Sequence, residues 1–411
     1  MTTQPLIITG ARVFDASATT AETDRAVVIE DGRIRDTIPV GEIPAESAHR
    51  RIDVPGGTVL PGLIDMHVHL CDWSVPPSVV RDPARLSAYA AGSARQLQQA
   101  GITTVRDVGS PWGIGVAIRD AVASGRLPGC RVVASGRLIC MTGGHGSELG
   151  HVPTWSREAD GVDACRQAVR EQVKEGNDWV KVALDGARSV PGKVVIEFTQ
   201  PELDAIVDEA HRLGVRVACH TFQPETMEMA IRAGVDTVEH GLSMSQENVE
   251  QLAAAGIVLV PTIRLPIHIL DNAEAVAASS EYGVFAVRHA TEAKPTHAAS
   301  FQRALKAGVR VAAGTDTSSF VGGLDSLVHD LDYMVELGMS PAEAVLSATQ
   351  VAAETLERDG QLGSLVSGAL ADVLVCEGDP LKDVRALHEV RLVVQGGEVV
   401  VDRVAEAARP S

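Results

Sequence analysis

The segment Leu60-Pro61-Gly62-Leu63-Ile64-Asp65-Met66-His67-Val68-His69-Leu70 decides the fold prediction. It is an apolar run that ends in two histidines one residue apart. Side chains at positions i and i+2 of a strand point to the same face, so His67 and His69 project together from a strand that begins at Pro61-Gly62. Two imidazoles on one side of a rigid element form half of a metal site. Such a pair also occurs by chance on surface strands, so the other ligands must be found elsewhere in the chain.

The composition is that of a globular α/β protein. The 411 residues suffice for two domains or for one large barrel with an appendage. Hydrophobic residues make up 45% of the chain and charged residues 22%, which is the ordinary globular range. Aromatic residues make up only 3%, so the core must consist of small and aliphatic side chains. That mixture suits close packing of helices on strands.

The net charge and the cysteine pattern restrict the possible binding partners and the cellular compartment of the protein. A formal net charge of −18 argues against nucleic acid or an anionic membrane surface as a partner. The six cysteines form no C-x-x-C pair, which favours buried free thiols in a reducing compartment. Neither a signal peptide nor an apolar run of membrane-spanning length is evident. We therefore expect a cytoplasmic protein that acts on a small molecule, without a membrane partner, and that forms a homo-oligomer.

The pattern of strands and helices predicts two domains. Residues 1–58 and 366–411 read as short strands with tight turns, and we expect them to form one composite β-domain, a small β-sandwich. Residues 59–365 alternate apolar strands with amphipathic helices, of which Ala298–Ala307 is the last before the eighth strand. Eight strands end near His69, Asp107, Ser135, Val182, His220, Glu239, Pro261 and Gly314. Eight such units predict a (β/α)8 TIM-like barrel; an open doubly wound sheet is the alternative, but its G-x-G-x-x-G signature is absent.

Polar residues recur at the predicted strand ends, where a barrel carries its chemistry. They are His67, His69, Lys181, His220, His240 and Asp316. Each one alone is explained by a satisfied buried polar group. Four histidines, a lysine and an aspartate at corresponding positions need a shared cause, and a metal-dependent active site supplies one.

At this point the chain resembles the amidohydrolase superfamily, and within it the branch related to imidazolonepropionase and prolidase. The matching stretches are Leu60–His69, Met141-Thr-Gly-Gly-His-Gly146, Val238-Glu-His-Gly241, Ala313-Gly-Thr-Asp316 and Leu370-Ala-Asp-Val-Leu374. The resemblance implies two divalent metal ions, usually zinc. His67, His69 and Asp316 would hold the buried ion, and His220 and His240 the outer one. Lys181, carbamylated by CO2, would bridge both.

The resemblance also implies a mechanism. Two metal ions hold a hydroxide that attacks the carbonyl of a C–N bond. Asp316 would take a proton from the attacking water and pass it to the leaving nitrogen. On this interpretation Asp316 is the residue that matters most for the rate.

Further candidates lie in predicted loops. In Thr142-Gly-Gly-His145-Gly the glycines let the backbone approach a ligand, and His145 is predicted to contact the substrate and assist catalysis; a plain glycine turn with a surface histidine is the alternative. Arg264 is predicted to bind a substrate anion, with an exposed salt bridge as an equal alternative. The histidines in predicted helices are interpreted as structural: His289, His297 and His329.

The segment after His220 leaves the substrate open. Relatives often carry Tyr or His two residues later, which can contact a substrate carboxylate, whereas Phe222 cannot donate a hydrogen bond. The main hypothesis is a hydrolase of a dipeptide or N-acyl amino acid; the alternative is a hydrolase of an uncharged aryl amide, carbamate or ester. Deamination or cyclic-amide hydrolysis ranks lower, because Gln223 cannot ionise where deaminases place a glutamate. A non-enzymatic binding protein ranks last, because all six metal-site positions are present.

Overall fold

The described part of the chain is a mixed α/β structure. The computed structural model describes residues 5–43, 50–71, 79, 81–147, 155–186, 195–279, 281–316 and 326–404. The strands are β1 Leu6–Thr9, β2 Arg12–Val13, β3 Arg25–Glu30, β4 Arg33–Pro39, β5 Arg50–Asp53, β6 Gly57–Pro61, β7 Leu63–Val68, β8 Ile102–Asp107, β9 Arg131–Ala134, β10 Leu138–Cys140, β11 Ser156–Glu158, β12 Trp179–Ala183, β13 Arg216–Thr221, β14 Thr237–His240, β15 Val258–Val260, β16 Val373–Glu377, β17 Val390–Gln395 and β18 Glu398–Asp402.

Helices follow most of the central strands. They are α1 Pro83–Gln99, α2 Ile114–Ala123, α3 Val162–Lys174, α4 Gln200–Arg212, α5 Pro224–Ala233, α6 Gln246–Ala255, α7 Leu265–Asp271, α8 Ala273–Ser279, α9 Glu281–Lys306, α10 Ser326–Glu336, α11 Pro341–Ser347 and α12 Gln350–Thr355. Short 3₁₀ helices cover Val40–Glu42, Pro111–Gly113 and Val384–His388. Within the described ranges, no helix is both long and apolar enough to cross a lipid bilayer.

The chain divides into two compact units, the first comprising Met1–Asp65, Arg95–Thr104 and Leu327–Ser411. This unit holds a four-stranded sheet in the order β4-β3-β1-β5 and a five-stranded sheet in the order β18-β17-β16-β6-β2. Strand β16 pairs antiparallel with β6, with Leu374 opposite Leu60, so segments from both ends of the chain share one sheet. One apolar cluster contains side chains of both sheets, among them Ile8 and Val375.

The second unit comprises Met66–Ala94 and Val105–Ser326. Its six-stranded sheet has the order β11-β10-β12-β13-β14-β15, and every neighbouring pair is parallel. Strands β12 and β14 are buried along their whole length, as expected for a sheet covered on both faces. The parallel register places Thr221 opposite His240, so the carboxyl ends of β13 and β14 coincide. A separate three-stranded sheet has the order β7-β8-β9.

The predicted eighth strand forms only a β-bridge between Val311 and Leu259. Next to this bridge, the backbone N of Ala312 donates to the carbonyl of Leu259 at 3.0 Å. Further along the chain, the backbone N of Asp316 donates to the carbonyl of His67 at 2.8 Å. Gly314 permits this close approach, because a Cβ there would lie 2.9 Å from Cβ of His67. The segment therefore runs between β15 and the end of β7 without becoming a regular strand.

Two helices end at glycines. Gly234 and Gly256 cap α5 and α6 in the left-handed conformation, which glycine adopts without strain. The prediction for Ala298–Ala307 was too short, because α9 spans 26 residues and contains Pro295 in its interior. A proline normally ends a helix, so local sequence rules place the start too late.

Candidate active site

His67 is oriented by a buried pair of opposite charges. Its Nδ1 lies 2.6 Å from Oε2 of Glu239, and Nη2 of Arg106 donates to Oε1 of the same carboxylate at 2.7 Å. Arg106 also donates from Nε to the carbonyl of Met66 at 2.7 Å. A carboxylate acceptor at Nδ1 places the ring proton there and leaves Nε2 as the coordinating nitrogen. Burial opposes ionisation of Glu239, but Arg106 and Lys181 outweigh it and hold the pKa of its carboxyl far below the usual value.

Asp316 lies among the histidines. Its Oδ1 is 3.4 Å from Nε2 of His67 and 3.2 Å from Nε2 of His69, and its Oδ2 is 3.9 Å from Nδ1 of His240. Ligand atoms of His67, His69 and Asp316 all lie within 4.8 Å of one another. Burial disfavours the charged carboxyl, but His67 and His69 overcome this and keep the pKa of Asp316 well below its usual value. Asp316 is therefore an anion at neutral pH.

Lys181 projects from β12 and is buried. Its Nζ has no hydrogen-bond partner among the described residues. Burial lowers the pKa of this amine to about 8, although the charges of Glu239 and Asp316 oppose the shift. A buried amine without a partner is costly in a folded protein. The position therefore fits a group that is modified or bound by something further.

His220 and His240 complete the polar cluster, with their ring centroids 4.6 Å apart. Burial lowers the pKa of both imidazoles well below the ordinary value, so both are neutral, the form that binds metal. Nε2 of His220 is buried without a hydrogen-bond partner among the described residues. Nδ1 of His240 lies 2.8 Å from the hydroxyl of Thr262. Two neutral imidazoles, the ionised Asp316 and two buried nitrogens that lack a hydrogen-bond partner among the described residues form a donor set that fits divalent metal ions.

Three carboxylates hold the backbone of the predicted substrate loop. Thr142 N donates to Asp160 at 3.0 Å, Gly143 N to Glu158 at 3.0 Å and His145 N to Glu197 at 2.8 Å. The His145 ring stacks on His220 at 4.3 Å, and it lines the cavity beside the cluster. Burial and the charge of Lys181 lower the pKa of His145 to about 4.

Phe222 places its ring within the group of histidines. Ring centroids are 4.2 Å from His220, 5.0 Å from His289 and 5.5 Å from His240. Its backbone N donates to Oδ2 of Asp185 at 2.9 Å, and Gln223 N donates to the same oxygen at 3.1 Å. Gln223 also caps helix α5, which gives it a structural role at the position where a deaminase needs an acid.

Most of the described wall of the cavity is apolar. Its apolar side chains are Val108, Leu138, Trp155, Phe222, Leu242, Leu265, Pro266, Ile269, Ala286, Ala290 and Ala293. The alanines share one face of α9, since they follow a spacing of three to four residues. Besides histidines, the charged residues among the described lining are Lys181 and Asp316.

The interpretation of the helical histidines as structural stays a prediction. His289 and His297 both line the cavity, and Nε2 of His297 donates to the carbonyl of His240 at 3.0 Å. Helical position alone does not reveal which face meets a cavity. Arg264 is not part of the described lining; its guanidinium lies 2.9 Å from Nε2 of His268 and 3.7 Å from Asp271. Its role in anion binding remains a prediction.

Sequence reasoning missed the residues that support the site. Arg106, Glu239 and Asp185 are fully buried charged groups. Glu239 precedes His240 directly, so a carboxylate inside an apolar strand was the available signal. Arg106 carried the same signal within β8, but its partner could not be assigned without the pairing of distant strands.

The fold and the site define a class. Histidines, a lysine and an aspartate surround a cavity of an α/β protein, an arrangement typical of a metal-dependent hydrolase. The model of the amidohydrolase family matches residues 58–400, and the chain therefore belongs to this family. Members of the family hydrolyse C–N bonds, and their fold is a TIM-barrel-like α/β fold.

Named relatives span nearly the whole chain. Ochratoxinase of Aspergillus niger is 30% identical, with 91% of this chain and 82% of the relative covered. Imidazolonepropionase of Salinispora tropica is 26% identical, with 86% of each chain covered. A crystal structure of a Xaa-Pro dipeptidase with bound methionine in its active site is 31% identical and covers 96% of this chain and 99% of its own, with a TM-score of 0.86.

Proposed function

We propose that this protein is a dinuclear metal-dependent hydrolase that cleaves the C–N bond of a small, largely apolar amide. The observation that carries the proposal concerns Nζ of Lys181 and Nε2 of His220, which are buried beside His67, His69, His240 and the ionised Asp316 and have no hydrogen-bond partner among the described residues. Burying such nitrogens unsatisfied is unfavourable, so the arrangement is best explained by ligands that they hold in the working enzyme.

The six residues would divide between two ions. His67, His69 and Asp316 would bind one divalent cation, and His220 and His240 the other. Lys181 suits a bridging carbamate, because an amine with a pKa of about 8 is partly neutral at neutral pH and only the neutral amine reacts with CO2. Zinc is the expected metal, since imidazole and carboxylate ligands suit it. Two bound cations supply Lewis-acid polarisation of the carbonyl and acidify water.

The chain's own residues then handle orientation and protons. The carboxylate of Asp316 accepts a proton from the attacking water and returns it to the leaving nitrogen. Glu239 and Arg106 keep the His67 ring in its orientation. His145, neutral because its pKa is about 4, would hydrogen-bond the carbonyl oxygen of the substrate.

The lining favours the alternative substrate class of the sequence hypothesis. A free carboxylate on the substrate needs a cationic partner, and the described wall offers no arginine. Phe222 presents a ring instead of a hydrogen-bond donor. An uncharged amide, carbamate or ester with an apolar group therefore fits better than a dipeptide with a free carboxylate.

The proposal includes the arrangement of the strands in both units. The central strands would close into an eight-stranded barrel over residues 59–365, and the two sheets of the first unit would form a β-sandwich from residues 1–58 and 366–411. The mixed apolar cluster of both sheets supports the sandwich. A cytoplasmic homo-oligomer remains the expected state.

A matched pair of substrates tests the function. The protein is loaded with zinc in bicarbonate and offered an uncharged aryl amide and the same amide with a carboxylate on its amine fragment. We expect faster turnover of the uncharged compound, and Asp316→Asn should lower kcat for both compounds by about 10²–10⁴-fold. Preference for the carboxylate compound would favour the dipeptidase-like function. Failure to hydrolyse any amide, carbamate or ester with both metals bound would overturn the proposal.

A further inference from the structure

A second group of potential metal ligands lies within the first unit. His329 and Asp332 project from α10, three residues apart and therefore on the same face of the helix. His388 ends the 3₁₀ helix Val384–His388. Ligand atoms of these three residues all lie within 4.8 Å of one another, and among the described residues only the group of His67, His69 and Asp316 shares this property.

The distances in this group are close to those of a bound metal ion. Oδ2 of Asp332 lies 2.7 Å from Nε2 of His388 and 3.9 Å from Nδ1 of His329. A tetrahedral cation with ligand bonds of about 2.0–2.1 Å separates its ligand atoms by about 3.3–3.4 Å. One distance must therefore widen slightly and the other shorten slightly, which small side-chain rotations accomplish. The two imidazole rings already lie 4.6 Å apart.

The surroundings allow a cation to reach the group. The side chains of His329, Asp332 and His388 are 40%, 20% and 33% exposed. The second oxygen of Asp332, Oδ1, is buried and has no hydrogen-bond partner among the described residues. Arg385 is a nearby cation, and Asp383 neutralises it through bonds of 2.8 Å and 2.7 Å.

An ordinary histidine–aspartate pair looks different. His211 and Asp236 form such a pair on the second unit, with Nε2 and Oδ2 2.8 Å apart. No third ligand joins them within the described residues. The presence of His329 therefore distinguishes the first-unit group from a simple hydrogen-bonded pair.

We propose that His329, Asp332 and His388 form a separate surface site for a divalent transition-metal ion, with zinc as the natural probe. Two imidazoles select a borderline cation such as Zn²⁺ over Ca²⁺ or Mg²⁺, which prefer oxygen ligands. Three protein ligands leave a fourth position for water. The bound ion would tie helix α10 to the segment Val384–His388 and so stabilise the first unit.

The test counts zinc on the full-length protein. Wild-type protein is loaded with zinc, freed of excess ion on a desalting column and titrated with ZnCl₂ by calorimetry, with metal content determined by mass spectrometry. The variants His329→Gln and His388→Gln each remove one ligand, and His211→Gln is the control at the ordinary pair. MgCl₂ in place of ZnCl₂ tests the selectivity.

The wild type and His211→Gln are expected to bind one zinc ion per chain more than either ligand variant, with affinity reduced on the order of tenfold or more when a ligand is lost. Zinc should also raise the melting temperature of the wild type and the control but not of the ligand variants. The same zinc content in all four proteins would overturn the proposal, and so would equal binding of magnesium. Circular dichroism of each variant verifies that it is folded.

Discussion

Nη2 of Arg106 donates a hydrogen bond of 2.7 Å to Oε1 of Glu239, and both side chains are completely buried. The other oxygen of Glu239 accepts a hydrogen bond from Nδ1 of His67. The pair thus connects the core of the unit with the first predicted metal ligand. Arg106 also lies over the ring of Trp179, 4.6 Å from its centroid, which adds to the packing of the guanidinium.

This relationship predicts a large effect of Glu239→Gln. The change keeps the shape of the side chain but leaves Arg106 as an unpaired buried charge, which costs about 3–5 kcal/mol. Glutamine also keeps only one acceptor oxygen and so cannot accept from both Arg106 and His67; without the acceptor that orients His67, metal affinity should fall by about 10–100-fold. Denaturant unfolding and bound-metal analysis measure the two effects. The control is Glu228→Gln at the exposed pair with Arg232, where we expect a loss below about 1 kcal/mol; equal effects at both positions would contradict the argument.

Lys181→Ala should lose metal as well as activity, because no carbamate can form to bridge two ions. Lys181→Arg should behave alike, since a guanidinium does not lose its proton in proteins. Metal content by mass spectrometry and hydrolysis of the best substrate are the two readouts. A Lys181→Ala protein with both metals and the full rate would show that the bridging role is wrong.

Asp316→Asn should lose far more rate than metal. The amide can still offer an oxygen ligand but cannot carry a proton from water to the leaving nitrogen. Positioned acid–base catalysis contributes about 10²–10⁴-fold, so kcat should fall by this order. The comparison of kcat with bound metal per chain separates the two roles. Loss of both metals in parallel with the rate would instead assign Asp316 to metal binding alone.

The face of α9 offers a test of the apolar pocket. Ala290→Leu adds three carbons to the cavity wall, so a bulky substrate should show a raised KM while a small amide retains its turnover. The control is Ala278→Leu, an exposed position on α8 that should change neither value. Kinetics with a series of substrates of increasing size measures the effect. Equal kinetics for the two variants would place the substrate elsewhere.

His297 predicts a specific pH dependence of stability. Burial lowers its pKa from 6.5 to about 4, so between these values the unfolded chain binds a proton that the folded chain does not. The free energy of unfolding should therefore rise with pH between about 4 and 6.5 and level off above, with a contribution of about 1.4 kcal/mol per pH unit from one such group. His297→Gln should reduce that slope by about this amount. Urea unfolding at several pH values measures it, and an unchanged slope would mean that His297 is not buried in solution.

The periodicity of the sequence predicted many strands and helices of the second unit, because such patterns depend on residues that are close in the sequence. Alternating strands and helices, glycine caps such as Gly234, and histidines at strand ends all depend on neighbours a few residues away. The six predicted ligands line one cavity. For Lys181, His220 and His240 the reason is the parallel pairing of β12, β13 and β14, which brings the carboxyl ends of these strands to the same edge. Their role in binding metal remains a prediction.

The sequence by itself determined the strands that carry His67, Lys181, His220 and His240, because hydrophobic periodicity and residue type are local properties. Only the tertiary structure decided which buried charges meet. Arg106 pairs with Glu239, which is 133 residues away in the sequence, and His388 pairs with Asp332, which is 56 residues away. Local pattern does not encode such pairings, since they depend on how whole strands and helices pack. The same reason explains why His289 and His297 line the cavity: the side of α9 that faces it is set by its packing.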